Sequence, residues 1–267
     1  MSRPAYPALV WERAVLETKE FVRSRDQMIF IFAFPIIFLV LFGAILGGAE
    51  IGAGVNFTEY FLAGMIATGI LNTGFQSLAI GIAIDRDNDV LKRLYGTPLP
   101  ASAFFAGKVL HVLMVSIVQI ALLLAVGALA YGINLPTDPD RWITFAWVFL
   151  LGTAASTLLG IGASSLPKTG RAASAIITPI VLVLQFISGV FFVFTQLPTW
   201  LQNFAELFPL KWLAQGMRSV FLPEEFAELE ARMSWEHSTI AIMLVVWLVL
   251  GSILALTTFR WQRAGDR

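Results

Sequence analysis

Six apolar runs, each near the length needed to cross a bilayer, constrain this chain more than any other feature. A bilayer core takes about 20 consecutive apolar residues of helix, and backbone polar groups within it must bond internally. Such runs recur along the whole length: Met28–Gly48, Tyr60–Ile84, Phe104–Ala130, Trp142–Leu166, Ala172–Phe194 and Thr239–Phe259. They predict an all-α membrane protein with six transmembrane helices (spans one to six) in a single domain over residues 1–267. Charged residues make up only 13% of the chain, against about 25% in ordinary soluble domains. Pro35 and Pro179 fall inside spans one and five, where each removes a helix hydrogen bond that neighbouring helices must compensate.

Lys and Arg set the orientation. One side carries Arg3, Arg13, Lys19, Arg23 and Arg25, then Arg86, Lys92, Arg93 and Lys108, the loop Lys168–Arg171, and Arg260, Arg263 and Arg267. The other carries only Arg141, Lys211, Arg218 and Arg232. The positive-inside rule puts both termini and the charged stretch Asp85–Lys108 in the cytoplasm, and the cell (inner or plasma) membrane is the expected location. The acidic residues Glu206, Glu224, Glu225, Glu228, Glu230 and Glu236 then face outside.

Two segments read as lying along the membrane. Residues 8–25 place Leu9, Trp11, Val15, Thr18, Phe21 and Val22 near one helical face, as in an interfacial helix (residues 1–27 forming the cytoplasmic N-terminal segment). Residues 196–222, part of an outer segment 196–237, are aromatic-rich and broken by Pro198 and Pro209. The pieces are too short to span, so short re-entrant or surface helices are expected.

Several chemistries are disfavoured. The chain has no cysteine, which excludes disulfides and thiolate sites, and its two histidines, His111 and His237, lack ligand-like spacing. No metal site and, at zero net charge, no nucleic-acid partner is expected. Gly162–Thr169 mimics a phosphate-binding loop, but Pro167 replaces its second glycine and offers no N–H. Asn56-Phe57-Thr58 matches a glycosylation sequon at the membrane edge, where a chance match is the better reading. Glu59, Lys108 and His111 sit near span ends, and no buried acid–base pair is visible at mid-membrane. Ion-coupled carriers and membrane enzymes need such groups, so a pathway powered from outside the chain is favoured.

Mid-membrane polarity is neutral. Asn72 and Gln76 share a face of span two, close to Phe75; Gln119 lies in span three, and Gln185 and Phe186 in span five, continuing to Phe191 and Phe192. Amides and phenylalanines suit a path for amphipathic or lipid-like cargo. The same amides also serve as interhelical glue, and Gly43 and Gly47 read as packing positions.

The charged, turn-rich island Asp85–Lys108, with its loop at 85–103, breaks this apolar pattern. Asp85, Asp87 and Asp89 suit the start of a short helix, Val90, Leu91 and Leu94 its apolar face, and Gly96, Pro98 and Pro100 its end. An ordinary polar loop is the plain alternative. Here the chain resembles the type-2 permeases of ABC transporters, especially drug and natural-product exporters. The resemblance rests on Asp85-Arg86-Asp87, Leu91-Lys92-Arg93-Leu94, Thr97-Pro98-Leu99 and Gly107-Lys108. It continues in Ser188-Gly189-Val190-Phe191-Phe192, Leu197-Pro198-Thr199-Trp200-Leu201, Phe208-Pro209-Leu210 and Arg218. The family often has an acidic-Gly-Thr step where this chain has Asn88-Asp89-Val90.

The resemblance implies the membrane subunit of an ATP-driven exporter. Its partners would be cytoplasmic ABC ATPase subunits, which bind the ATP and magnesium, a second permease copy and the lipid bilayer. This chain would be no enzyme and hold no cofactor. Asp85, Arg86, Asp87, Val90, Leu91, Arg93, Leu94, Thr97 and Pro98 would couple it to the ATPase, the apolar face docking into the partner. Pro198, Trp200, Pro209 and Arg218 would form an outer gate. Export of lipid-linked polysaccharide, or a non-transporting scaffold or sensor, are the competing readings.

Overall fold

The computed structural model of the protein describes residues 5–261; Arg3, Arg263 and Arg267 of the charge argument lie outside them. Among the described residues, six helices are long and apolar enough to cross a membrane. Helix α1 (Tyr6–Arg23) precedes α2 (Arg25–Leu46), which is span one. Span two is α3 (Phe57–Leu71), a π-helical turn at Asn72–Ser77 and α4 (Leu78–Asp87). The short α5 (Val90–Tyr95) leads to α6 (Ala101–Tyr131), α7 (Pro139–Ala163) and α8 (Gly170–Ile187), spans three to five. Helices α9 (Thr199–Ala205) and α10 (Pro209–Phe221) precede span six, α11 (His237–Thr258).

Span two is the hub. Nearly every residue of α3 is buried, and it touches α2, α6, α7 and α10. Its start is defined by a capping box: the Asn56 side chain accepts from Glu59 N–H at 3.1 Å, and Glu59 accepts from Asn56 N–H at 3.0 Å. The sequon-like triplet thus has a local structural role. Ahead of it, Glu50–Gly52 and Val55–Asn56 form a small antiparallel hairpin that the apolar periodicity did not signal. Its turn, Gly52-Ala53-Gly54, runs at φ of 119, 54 and 70°.

Pro35 leaves the Ile31 carbonyl without its helical partner. Gln119 of span three supplies one, its Nε2 donating to Ile31 O at 2.9 Å, while its Oε1 accepts from Thr73 at 3.3 Å. One amide therefore ties spans one, two and three. Against the π turn, α7 approaches backbone to backbone: a Cβ at Gly160 would lie 2.4 Å from Gly74 O. At Gly43 a Cβ would meet the Tyr131 ring at 2.6 Å, so this glycine is a packing position.

Helix α1 buries Arg13, Ala14, Glu17 and Phe21 against α6, with Leu9, Val15 and Thr18 half-buried and Trp11 and Val22 55% and 54% exposed. Two expectations need correction. Span five ends at Ile187, not Phe194. Gly189 takes φ +71°, a conformation that glycine adopts without penalty, and turns the chain back. Finally, α10 is no surface helix. All of its residues are buried among α3, α7 and α11, whereas α9 leaves Trp200 69% exposed.

Candidate functional site

The basic segments gather at one end of the bundle. Thr18 Oγ1 of α1 meets His111 Nδ1 of α6 at 2.9 Å, Arg86 Nη2 donates to Pro167 O at 2.9 Å, and the Tyr95 and Trp261 rings lie 5.8 Å apart. Pro167 belongs to the phosphate-loop look-alike, which is the end of α7 and its connection to α8, a helix–loop–helix with no strand.

Asp85 and Asp87 close α4 rather than opening α5. The break between them and α5 is a single left-handed residue, Asp89, at φ +58°. Asp89 occupies the step where the resemblance has glycine, and Asp is among the few residues that visit this region. Asp87 Oδ2 accepts from Gly170 N–H at 3.0 Å, placing a carboxylate on the N-terminus of span five. Span two, α5 and span five are thus joined at one point.

Helix α5 anchors inward through Leu91, which is 0% exposed and packs with Leu78, Ile82, Phe104, Val112, Ile161 and Ala255. This revises the expected docking face: Leu91 fills this chain's own core, and Val90 and Leu94 are half-buried. The outward surface is Lys92, Arg93, Tyr95, Thr97 and Pro98. Arg93 reaches back to Asn88 O and Asp89 O, both at 3.4 Å, and Thr97 Oγ1 donates to Leu94 O at 2.6 Å.

The Gly107-Lys108 step is where α1 docks. A Cβ on Gly107 would sit 2.6 Å from Arg13 Cγ, so only glycine admits α1 this close. The adjacent Lys108 Nζ pairs at 2.7 Å with Glu17 Oε1, one turn along α1 from Arg13, and Glu17 also pairs with Arg13. Burial alone would push the Glu17 carboxyl up. Lys108 and Arg13 outweigh burial and hold it below the ordinary value of 4.5. Asp85 lies within the field of the same cations.

The amides expected along a path partly converge. Asn72 and Gln76, with Ser77, Ile80 and Ile84, face Phe30, Ile31, Phe34 and Pro35 of α2 across a cavity of about 300 Å³. Gln185 Nε2 donates to Asn72 Oδ1 at 3.0 Å, and Gln76 Nε2 to Thr178 Oγ1 at 3.0 Å, so span five borders this side of span two. Phe75 is not on that cavity; it lines a separate one with Leu159 and Leu254. Phe191 is buried in an aromatic cluster with Phe38, Phe42 and Phe61, and Phe186 and Phe192 are exposed.

The residues expected at the outer gate take different roles. Pro198 and Pro209 start α9 and α10. Arg218 is fully buried and clamps Glu230 in a two-point pair, at 2.6 and 3.2 Å. It also donates to Gly189 O at 3.4 Å and lies over the Tyr60 ring. Tyr60 OH donates to Gly189 O at 2.9 Å and accepts Phe194 N–H at 3.1 Å. Glu230 is therefore buried inside this lock. On α10, burial and the neighbouring Arg218 charge lower the Lys211 ammonium to about 8.

Spacing alone missed Glu17, Tyr60 and Glu230. Glu17 carried one signal, its i,i+4 relation to Arg13. Tyr60 and Glu230 meet Arg218 only through tertiary folding.

Six apolar helices, the buried amphipathic α10 and a loop clamped between spans two and five define a multi-pass membrane protein. Comparison with known proteins places it further. The model of the ABC-2 type transporter family matches residues 9–222, from α1 to the end of α10, and the chain belongs to that family. It is 25% identical over 229 residues to the putative transport permease ycf38 of Porphyra purpurea, covering 82% of this chain and 76% of that one. The inner membrane transport permease YadH of Escherichia coli K12 is 25% identical over 196 residues, 70% of this chain and 74% of its own. The probable multidrug ABC transporter permease YbhR of the same organism is 24% identical over 163 residues, 59% of this chain and 42% of that one.

Proposed function

We propose that this permease subunit pairs with a second copy and two cytoplasmic ABC ATPases to export amphipathic or hydrophobic cargo (a drug, natural product or lipid). The observation that carries the reading is the clamp at the α4–α5 turn. Its outward face, Lys92, Arg93, Tyr95, Thr97 and Pro98, is exposed, while Leu91 and Asp87 fix it to spans two, three and five. A push on that face would move those spans together. The cavity beside Asn72 and Gln76 is mostly apolar with three amides, Gln27 being the third, as cargo of that class requires. The multidrug name of the YbhR relative agrees with drug cargo.

The orientation belongs to the same proposal, with the basic end in the cytoplasm. Ser102 and Glu228 are exposed at opposite ends of a cysteine-free chain. In intact cells Glu228→Cys should react with an impermeant thiol reagent and Ser102→Cys should not; the reverse pattern rejects the orientation. Co-purification with an ATPase, then ATPase activity and vesicle transport with candidate cargo, tests the function. Export predicts ATP-dependent uptake into inverted vesicles, altered in cargo preference by Asn72→Ala with the ATPase still bound. A chain that binds no ATPase would favour the scaffold reading instead.

A further inference from the structure

A second cavity, of about 490 Å³, lies at the inner ends of α7, α8 and α11 and shares no lining residue with the one beside Asn72. Leu159, Ile180, Leu254 and Phe75 give it apolar walls. Ile180 and Leu254 are 39% and 40% exposed, so in a membrane this groove opens towards acyl chains. Its hydroxyls make no demand on a ligand: Ser165 donates to Thr258 O, Thr257 to Ile253 O, and Thr258 to Gly162 O.

One end of the groove is cationic. Arg260 stands in its lining, exposed, and acts as a neighbouring like charge on Arg86. Arg86 is only 8% exposed, gives Nη2 to Pro167 O and leaves Nη1 with no partner. Asp87 is the carboxylate beside it, and that group also takes the Gly170 N–H. Lys168, exposed on the same loop, adds a further cation. Excess positive charge at one end of an apolar slot asks for an anion that carries a hydrocarbon chain.

We propose that this groove binds one anionic phospholipid from the leaflet at the basic end, its phosphate at Arg260, with the Arg86 charge behind it, and an acyl chain along Leu254, Ile180 and Phe75. The site touches the permease at two sensitive places. Arg86 adjoins the α4–α5 turn, and Phe75 belongs to the π turn that carries Asn72 and Gln76.

Native mass spectrometry of the purified permease, titrated with dioleoylphosphatidylglycerol or dioleoylphosphatidylcholine, tests this. One phosphatidylglycerol per chain should be retained in preference to phosphatidylcholine. Arg260→Gln should cut that preference about fivefold, the worth of one arginine at an anionic leaflet. Leu254→Trp fills the groove without changing charge and should release the lipid; Ile180→Trp replaces it should that variant not fold. Arg25→Gln removes an exposed cation at the start of α2 and should change nothing. Added glycerol phosphate, a headgroup without chains, should not displace the lipid. The proposal fails if Arg260→Gln and the groove-filling variant bind as the wild type does. It fails equally if Arg25→Gln weakens binding as much as Arg260→Gln, or if glycerol phosphate displaces the lipid.

Discussion

Replacing Glu17 by Gln should release α1 from the bundle. Glu17 faces two buried cations, Lys108 at 2.7 Å and Arg13 on its own helix. Neutralising it leaves both cations without this carboxylate, and breaking a buried pair costs about 3–5 kcal/mol. Helix α1 packs mainly on α6 and, less, on α2, so the cost falls on local detachment before global unfolding. Taking the low end, about 3 kcal/mol, amide exchange over residues 6–23 should speed about a hundredfold, since each 1.4 kcal/mol is tenfold. Hydrogen–deuterium exchange of the permease in nanodiscs reads this directly. Lys108→Met should do less, because Glu17 keeps Arg13. The pH dependence follows from the lowered Glu17 pKa. Its stabilisation is fully present above the unfolded value of 4.5 and disappears as pH falls through the lower folded value. Glu17→Gln should lack that acid-side transition. Wild-type exchange in Glu17→Gln, or a larger effect from Lys108→Met, would refute the ion pair as the fastening of α1.

The turn that follows span two separates folding from coupling. Leu91→Ala should cost about 2–5 kcal/mol as a core cavity and lower the melting temperature, whereas Arg93→Ala should leave melting unchanged and weaken ATPase association in a pull-down. Asp89→Gly should be neutral or stabilise by up to about 1 kcal/mol, because a Cβ at left-handed φ costs about 1–2 kcal/mol; denaturation by urea or heat measures it. Lys211→Met should abolish one pH effect. With its folded pKa lowered to about 8 from 10.5, the wild type should gain stability as pH rises from 8 towards 10.5, and the variant should not.

Much of the architecture was legible because membrane physics writes it in one dimension. Apolar length gave six spans to within a few residues, except at span five, where Gly189 ends the helix early. The end of the bundle that collects the basic residues was legible from charge alone. What stayed hidden was set by partners distant in sequence. Leu91 and Leu94 look alike on a helical wheel, but Leu91 is buried in the cluster of Phe104 and Ile161, whereas Leu94 packs at its edge, half-buried. Arg218 resembled a surface gate residue until Glu230 and Tyr60 were found around it. The inward side of α1 was hidden because an apolar periodicity argument cannot pair Glu17 with a lysine ninety-one positions away, whereas the folded chain puts the two in contact.

The π turn at Asn72–Ser77 shows why span two suits a moving part. Its extra residue per turn breaks the α-helical register, a common device at functional sites. On one side Gly74 presses on Ser156 and Gly160 of α7 with no side chain between. On the other, Asn72 and Gln76 hold span five through neutral hydrogen bonds to Gln185 and Thr178, and they line the cavity facing span one. The α7 contact is backbone packing, which resists sliding, because small displacements of close-packed atoms clash. The span-five contact is made of two amide bonds, each worth only about 1 kcal/mol net and able to exchange partners with water or cargo. A force arriving at the Asp87–Gly170 bond would therefore carry the joined ends of spans two and five together, while the weaker contact between them at Asn72 and Gln76 yields before the packing of span two on span four does.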